Sequence, residues 1–220
     1  MSQSSNVTSY SIIRGTSTLS QEEMKGFGSL IVITGPSGVG KGTVTQGVIE
    51  RVESLSKSVS VTTRPKRDGE LDGKDYFFKS EEEFKELRAA GKFLEYAEFA
   101  GYHYATPETW VEEQIQKGVD VLLEIEVQGA MQVRETCPNA VLIFLSPPSY
   151  EALEARLRNR ATETPERIAL RLEKAKEEIK CLHLFDYEVI NDNIEEAVGN
   201  LANIVYAERL RIKSTTLERP

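Results

Sequence analysis

The chain has 220 residues, and its 27 Lys and Arg against 35 Asp and Glu give a formal charge of −8. That length predicts one domain with insertions, or two small ones, with a core that needs no disulfide staples. The acidic balance removes the electrostatic footprint of a general nucleic-acid binder but leaves room for a local basic pocket, and the longest apolar runs, at 30–33 and 141–145, fall far short of the ~20 residues of a membrane span.

Residues 1–27 are rich in Ser, Thr, Asn and Gln and have no sustained period. They predict an unstructured tail, because they bury too little apolar surface to offset the entropy of ordering. An organelle-targeting segment is the alternative; Arg14 suits it, while Glu22 and Glu23 oppose it.

Leu30-Ile31-Val32-Ile33-Thr34 is a short β-branched run that ends in glycines, the pattern of a strand buried on both faces. Gly35-Pro36-Ser37-Gly38-Val39-Gly40-Lys41 follows it, and helical spacing covers 43–52. In that strand, loop, helix context the spacing G-x-x-x-x-G-K is a phosphate cradle. Glycines at 35, 38 and 40 let backbone N–H groups turn toward an anion, the helix N-terminus adds its dipole, and Lys41 reaches the outer phosphates. Where Ser or Thr normally meets a magnesium ion the chain has Gly42, with the hydroxyl one place later at Thr43. Adenylate-kinase-like loops share this order, so Mg2+ is expected to be held through water, phosphates and distant carboxylates.

Residues 58–110 break the pattern with short strands at 58–63, 76–78 and 93–99 and a helix at 81–90, which together predict an α+β insertion. Ser80 and Glu83 form a capping box for that helix, and Gly91 serves as its left-handed stop. Thr106-Pro107 and Thr164-Pro165 each set a capping hydroxyl before a proline at a first helical position, so helices should start there. Buried-strand runs at 119–124 and 140–145 alternate with helical stretches and predict a parallel sheet. Glu124-Ile125-Glu126 ends the first of these; strand alternation sends its two carboxylates to opposite faces, at the sheet end where α/β folds place ligands.

The charge-dense stretch 151–180 reads mostly as a solvated helical surface with i, i+4 pairs. A late strand at 187–190 precedes Asn191-Asp192-Asn193, which can cap a final helix. Cys137, Cys181, His103 and His183 lack metal-ligand spacing, which argues against structural zinc. The two cysteines read as ordinary residues of a reducing compartment, so a soluble cytoplasmic protein is expected.

The acceptor-side residues also carry chemistry. Arg64 and Arg67 lie close in a loop after a strand, where planar forks can clamp one phosphate dianion, and Tyr76 and Tyr104 can each donate a phenolic hydrogen bond. The order Ser60-Val61-Thr62-Thr63-Arg64-Pro65-Lys66-Arg67-Asp68-Gly69-Glu70, then Asp72-Gly73-Lys74-Asp75-Tyr76-Phe77-Phe78, then Phe93-Leu94-Glu95-Tyr96-Ala97 resembles the guanylate kinase family. With the loop at Gly35 and the later Gln128-Gly129, the resemblance covers about residues 29–210.

The resemblance implies an α/β P-loop three-layer fold with a central parallel sheet, an inserted α+β monophosphate-binding region and a helical lid. It sets the core at 28–57, 111–155 and 173–210, the insertion at 58–110, the lid at 156–172 and tails at 1–27 and 211–220. It assigns Arg64, Arg67, Tyr76 and Tyr104 to the phosphate of GMP and Ser60, Glu95 and Thr106 to its base; Ala105 stands where glycine is usual. Glu124 and Glu126 replace the usual pair of aspartates, the first near the magnesium water shell and the second on the guanine side. Arg156, Arg160 and Arg171 match the lid arginines, and the Asn191 region approaches the adenine of ATP.

Glu95 has a physical rationale: guanine offers the adjacent N1–H and amino donors that an ionised carboxylate accepts together, whereas adenine presents an acceptor at N1. The implied reaction passes the γ-phosphoryl of ATP to GMP, and to dGMP, giving ADP and GDP, with Lys41, Arg64 and the lid arginines stabilising the transferring group. His103 reads as a packed or surface residue. Alternatives are a binding module of the same fold that recognises phosphorylated proteins, and a kinase acting on AMP, a pyrimidine nucleotide or a sugar phosphate. Monomer and homodimer stay equally open.

Overall fold

The computed structural model describes residues 13–14, 26–99, 101–158 and 164–211. In chain order the first half comprises β1 (Leu30–Thr34), α1 (Lys41–Arg51), β2 (Leu55–Lys57), β3 (Val61–Thr62), β4 (Phe77–Phe78), α2 (Glu81–Ala89), β5 (Phe93–Phe99) and β6 (Tyr102–Pro107). The second half comprises α3 (Glu108–Gln116), β7 (Asp120–Glu124), α4 (Val127–Thr136), β8 (Val141–Ser146), α5 (Tyr150–Arg158), α6 (Pro165–Lys180), β9 (Tyr187–Ile190) and α7 (Ile194–Arg209).

The main sheet has five strands in the order β2-β7-β1-β8-β9, all paired in parallel. The first strand is therefore central, and the loop that leaves its carboxyl end opens between β7 and β8. Every residue of β1 is buried, which is why its sequence is a continuous apolar run rather than an alternation. Ile31 and Ile33 pack with Val44 and Val48 of α1 and Val198 and Leu201 of α7. Leu30 and Val32 point the other way, toward Val111 and Ile115 of α3 and Ala130 and Val133 of α4. Three layers follow from this period of two.

The insertion forms its own four-stranded sheet in the order β4-β3-β6-β5, over a small core of Val61, Phe84, Phe93 and Ala105. Its helix α2 starts on the expected capping box: the Ser80 hydroxyl accepts from the Glu83 N–H and the Glu83 carboxylate accepts from the Ser80 N–H. Gly91 stops it in the left-handed region, at φ 65°. Helices α5 and α6 meet through Leu153, Leu157, Ile168 and Leu172, and Thr164 caps α6 with Pro165 in its first turn. Arg160, between α5 and α6 in sequence, lies outside the described residues.

Several expectations need correction. A helix does follow Thr106-Pro107, but Thr106 does not cap it: both residues finish β6, α3 begins at Glu108 with Pro107 at its N-cap, and no side chain caps it. The strand expected at 58–63 shortens to Val61–Thr62, and β2 and β6 were not anticipated. Strand length here follows the partners available, which local sequence does not display. Within the stretch read as an unstructured tail, Ile13 is buried and Arg14 pairs with Glu108. One buried isoleucine and one forked ion pair suffice to dock a polar segment at those two residues. No helix among the described residues is long and apolar enough to cross a membrane.

Candidate active site

The loop after β1 wraps the start of α1. Gly40 adopts φ 99°, and a Cβ there would lie 2.6 Å from Nδ2 of Asn191, so backbone conformation and space both require glycine. No side chain caps α1 and no acidic residue occupies its first turn, which leaves its first N–H groups to an anion. The Lys41 ammonium folds back over the loop, donating to the carbonyls of Gly35 at 2.5 Å and Pro36 at 3.5 Å. Burial lowers its pKa, against the pull of Glu126, Glu178 and Glu124. Pro36 and Val39 are buried, and Ser37 and Gly38 are half-buried along the loop.

Asn191, buried at the end of β9, donates to the Val39 carbonyl at 2.7 Å. Arg156 of α5 reaches that carbonyl and the Asp192 carbonyl, each at 3.5 Å. Arg156 and Asn191 thus meet on the Val39 carbonyl, in the glycine loop after β1. Arg171 sits half-buried on α6, while Arg158 is occupied by Glu154 on its own helix. Gly42 faces β7, where a Cβ would stand 3.7 Å from Glu124 Oε1. Thr43 lies on another side of α1, in a groove shared with Ile194, Glu195 and Val198 of α7.

A cleft of about 580 Å³ opens between the main sheet and the insertion, a size that suits a small nucleotide. Ser60, Glu70, Tyr76, Glu95, Tyr104, Glu124 and Glu126 all line it. The expectation that Glu124 and Glu126 face opposite sides fails, because β7 ends at Glu124 and Glu126 already stands at the N-cap position of α4, without a side-chain cap. Strand alternation no longer applies there. Each carboxylate instead takes its own cation: Glu124 pairs with Lys57 at 2.7 Å and Glu126 with Lys174 of α6 at 2.6 Å. Burial raises the Glu126 pKa, but Lys174 and Lys41 outweigh it and hold the group below the ordinary carboxylate range. Glu178, one turn along α6, is pushed the other way by burial and by Glu126.

Arg64 does not line the cleft itself but is buried against Glu70 and Tyr76, which do, with its guanidinium 5.3 Å from the Tyr76 ring centroid. Its Nη2 donates to Glu70 at 2.7 Å and its Nη1 to the Pro65 carbonyl at 2.8 Å. The second oxygen of Glu70 accepts from the Arg67 backbone N–H at 2.8 Å, and the Arg67 residue is exposed. The Arg64 guanidinium and the Arg67 N–H hold the Glu70 carboxyl below its usual range.

Glu95 is only 5% exposed. One of its oxygens accepts from the Thr106 hydroxyl at 2.7 Å, and the hydroxyl expected to cap a helix is used here instead. Burial raises the Glu95 pKa, with the Thr106 hydrogen bonds pulling it back. Gly129 of α4 makes the space: a Cβ there would stand 2.6 Å from Glu95 Oε2. His103 stacks on Phe84 and faces Glu81, as a packed residue does.

Glu70, Lys57 and Lys174 were missed by sequence reasoning. Glu70 was inside the quoted motif, and its spacing of three and six from Arg67 and Arg64 was the available signal. Lys57 and Lys174 carry no local signal, since only the fold brings them to Glu124 and Glu126.

The chain is similar to known proteins over most of its length. The family model described as Guanylate kinase matches residues 28–208. The guanylate kinase of Lactococcus lactis is 50% identical over 189 residues, covering 86% of this chain and 92% of that protein. That of Streptococcus agalactiae is 51% identical over 186 residues, covering 84% and 89%. The crystal structure of guanylate kinase from Anaplasma phagocytophilum superposes with a TM-score of 0.66 at 37% identity, covering 86% of this chain and 90% of that one.

Proposed function

The chain belongs to the guanylate kinase family, and on that premise we propose that it transfers the γ-phosphoryl of ATP to GMP through the residues described above, giving ADP and GDP. The observation that carries this reading is Glu95: a buried carboxylate, held by Thr106 on one oxygen, that lines the same cleft as Glu124 and Glu126 beside the phosphate cradle. It meets the paired N1–H and amino donors of guanine and repels the N1 acceptor of adenine.

Phosphate capture falls to Arg64, Arg67, Tyr76 and Tyr104, with Ser60 beside the base. The acceptor phosphate has a second pKa near ~6, so it is already a dianion at neutral pH and requires no protein base. One of its oxygens bonds to the γ-phosphorus of ATP as the bond from that phosphorus to the β,γ-bridging oxygen breaks, and ADP leaves with that oxygen. The protein supplies alignment and positive charge around the equatorial oxygens. Lys41 and the α1 N–H groups hold the donor phosphates, with Gly35, Gly38 and Gly40 shaping the loop and Thr43 flanking it. Arg156, Arg160 and Arg171 close over the transferring group and exclude water. Asn191 borders the adenine.

Among the described residues, Glu124 beside Gly42 would offer magnesium a carboxylate oxygen, and nucleotide phosphates and water would supply the rest, as a hard cation that retains water prefers. When bound it neutralises charge on the β- and γ-phosphates. The two unpaired cysteines suit a reducing, cytoplasmic setting.

The test is a coupled ADP-release assay over GMP, dGMP, IMP, AMP, UMP and a sugar phosphate. GMP and dGMP are expected to give turnover well above the rest. Preference for AMP or UMP would replace the base assignment, and ADP release with none would leave a binding module.

A further inference from the structure

Ile13 and Arg14 precede the stretch that matches the family, which begins at residue 28, yet both are tied into it. Ile13 is 5% exposed and shares a core cluster with Leu94, Val111 and Ile115. Arg14 sets its fork on Glu108: Nε and Nη2 both donate to the carboxylate, Nη2 at 2.9 Å, and Nη2 also donates to the Phe93 carbonyl at 3.3 Å. The paired side chains are 30% and 15% exposed, and the Glu108 carboxylate raises the pKa of the guanidinium. Forked pairing of this kind fixes orientation as well as distance.

Its anchor points are the two sides of one joint. Phe93 opens β5 and pairs with Pro107, the last residue of β6; Glu108 opens α3. The next registered pair is Glu95 with Thr106, and the register shifts between Phe93 and Glu95. Leu94, the residue at that shift, is buried in the cluster that Ile13 joins. Irregularities of this kind re-aim side chains beside binding sites, and a strand that slips by one residue turns each side chain to the other face. A joint of this kind needs a pin, and Arg14 spans it one register step from the two residues that meet the base.

We infer that Arg14 is a positioning residue for base recognition, locking the β5–β6–α3 joint so that Glu95 and Thr106 present a fixed edge to the nucleobase. The inference rests on GMP as the acceptor. It extends the functional unit beyond residues 28–208, into a segment whose composition gives no sign of it.

Arg14→Gln, Arg14→Lys, Glu108→Gln and the double variant Arg14→Gln/Glu108→Gln test it, with KM for GMP, KM for ATP and the ratio of kcat/KM for GMP over IMP as readouts. IMP lacks the amino donor, so a displaced Glu95 loses more with GMP than with IMP. Arg14→Gln is expected to raise KM for GMP about five- to tenfold and to shrink the ratio, with KM for ATP unchanged. Arg14→Lys should recover part of the loss, and the double variant should be no worse than Arg14→Gln alone, as for partners in one interaction. A thermal midpoint that falls while KM for GMP and the ratio stay at wild-type values would overturn the inference and leave Arg14 a purely structural tie. Should Arg14→Gln fail to fold, Arg14→Lys and Glu108→Gln make the same comparison. Wild-type enzyme that ignores GMP would remove the reading and the inference together; wild-type enzyme that uses GMP, matched by Arg14→Gln in both readouts, would remove the inference alone.

Discussion

The Thr106 hydroxyl donates to the Glu95 carboxylate at 2.7 Å across the β5–β6 pair, with both residues buried. A carboxylate in such surroundings is costly unless its lone pairs are taken. Thr106 satisfies part of that need, and a ligand with two adjacent donors satisfies more. Recognition and solvation of the same group are therefore one interaction.

Glu95→Gln replaces an acceptor oxygen with an amide donor facing guanine. Its kcat/KM for GMP is expected to fall by about 10²-fold, with KM for ATP unchanged. Steady-state kinetics with each substrate varied in turn check this; equal losses on both substrates would assign Glu95 to folding rather than to the base.

Gly129→Ala places a Cβ 2.6 Å from Glu95 Oε2 and 3.3 Å from Ile125 Cδ1. Either the carboxylate moves off Thr106 or α4 shifts. Alanine also favours a helix over glycine by about 1 kcal/mol, which offsets the crowding in the stability of the fold. The expected outcome is a thermal midpoint near wild type with KM for GMP raised about tenfold, read by calorimetry beside kinetics.

Lys41→Met keeps the aliphatic stem and removes the charge above the loop carbonyls. Its kcat should drop by about 10²- to 10³-fold, while circular dichroism and the thermal midpoint stay close to wild type. Turnover within a few-fold of wild type would deny Lys41 a part in phosphoryl stabilisation.

Acid should weaken GMP use before it weakens ATP use. Burial raises the Glu95 pKa, and guanine needs the ionised form. On lowering pH, kcat/KM for GMP should therefore fall at a pH above the ordinary carboxylate range. The acceptor phosphate titrates as well, so Glu95→Gln serves as the control: it keeps the phosphate step and lacks the second. For folding the sign is opposite. A carboxyl whose pKa rises on folding favours the native state at low pH and loses that contribution as pH rises through the folded value.

The parallel core was legible because β1 and β8 are near-continuous apolar runs, β7 has a buried Val121-Leu122-Leu123 centre, and the glycine loop sits in a strand-to-helix context. The α2 capping box and the Thr164 cap were legible for the same reason: both depend on neighbours within four residues. Thr106 shows where local reading fails. Its hydroxyl before a proline fits a cap equally well, and only the pairing of β6 with β5 commits it to Glu95. Glu126 fails similarly, since alternation gives no warning that the strand stops two residues earlier. Arg14 and Lys174 reach their carboxylates across 94 and 48 positions of chain, a separation that no window on the sequence covers.

The contact between Arg64 and Glu70 bears on how loose anions fare at this enzyme. A carboxylate tethered six residues away is a rival present at a fixed and high effective concentration. Inorganic phosphate or sulfate arriving from solution has only one foothold from which to dislodge it. A mononucleotide bound as proposed has two, its base on Glu95 and its ester contesting the guanidinium. On the assignment proposed above, Glu70 therefore sets a threshold that a lone oxyanion meets with one contact and a mononucleotide with two.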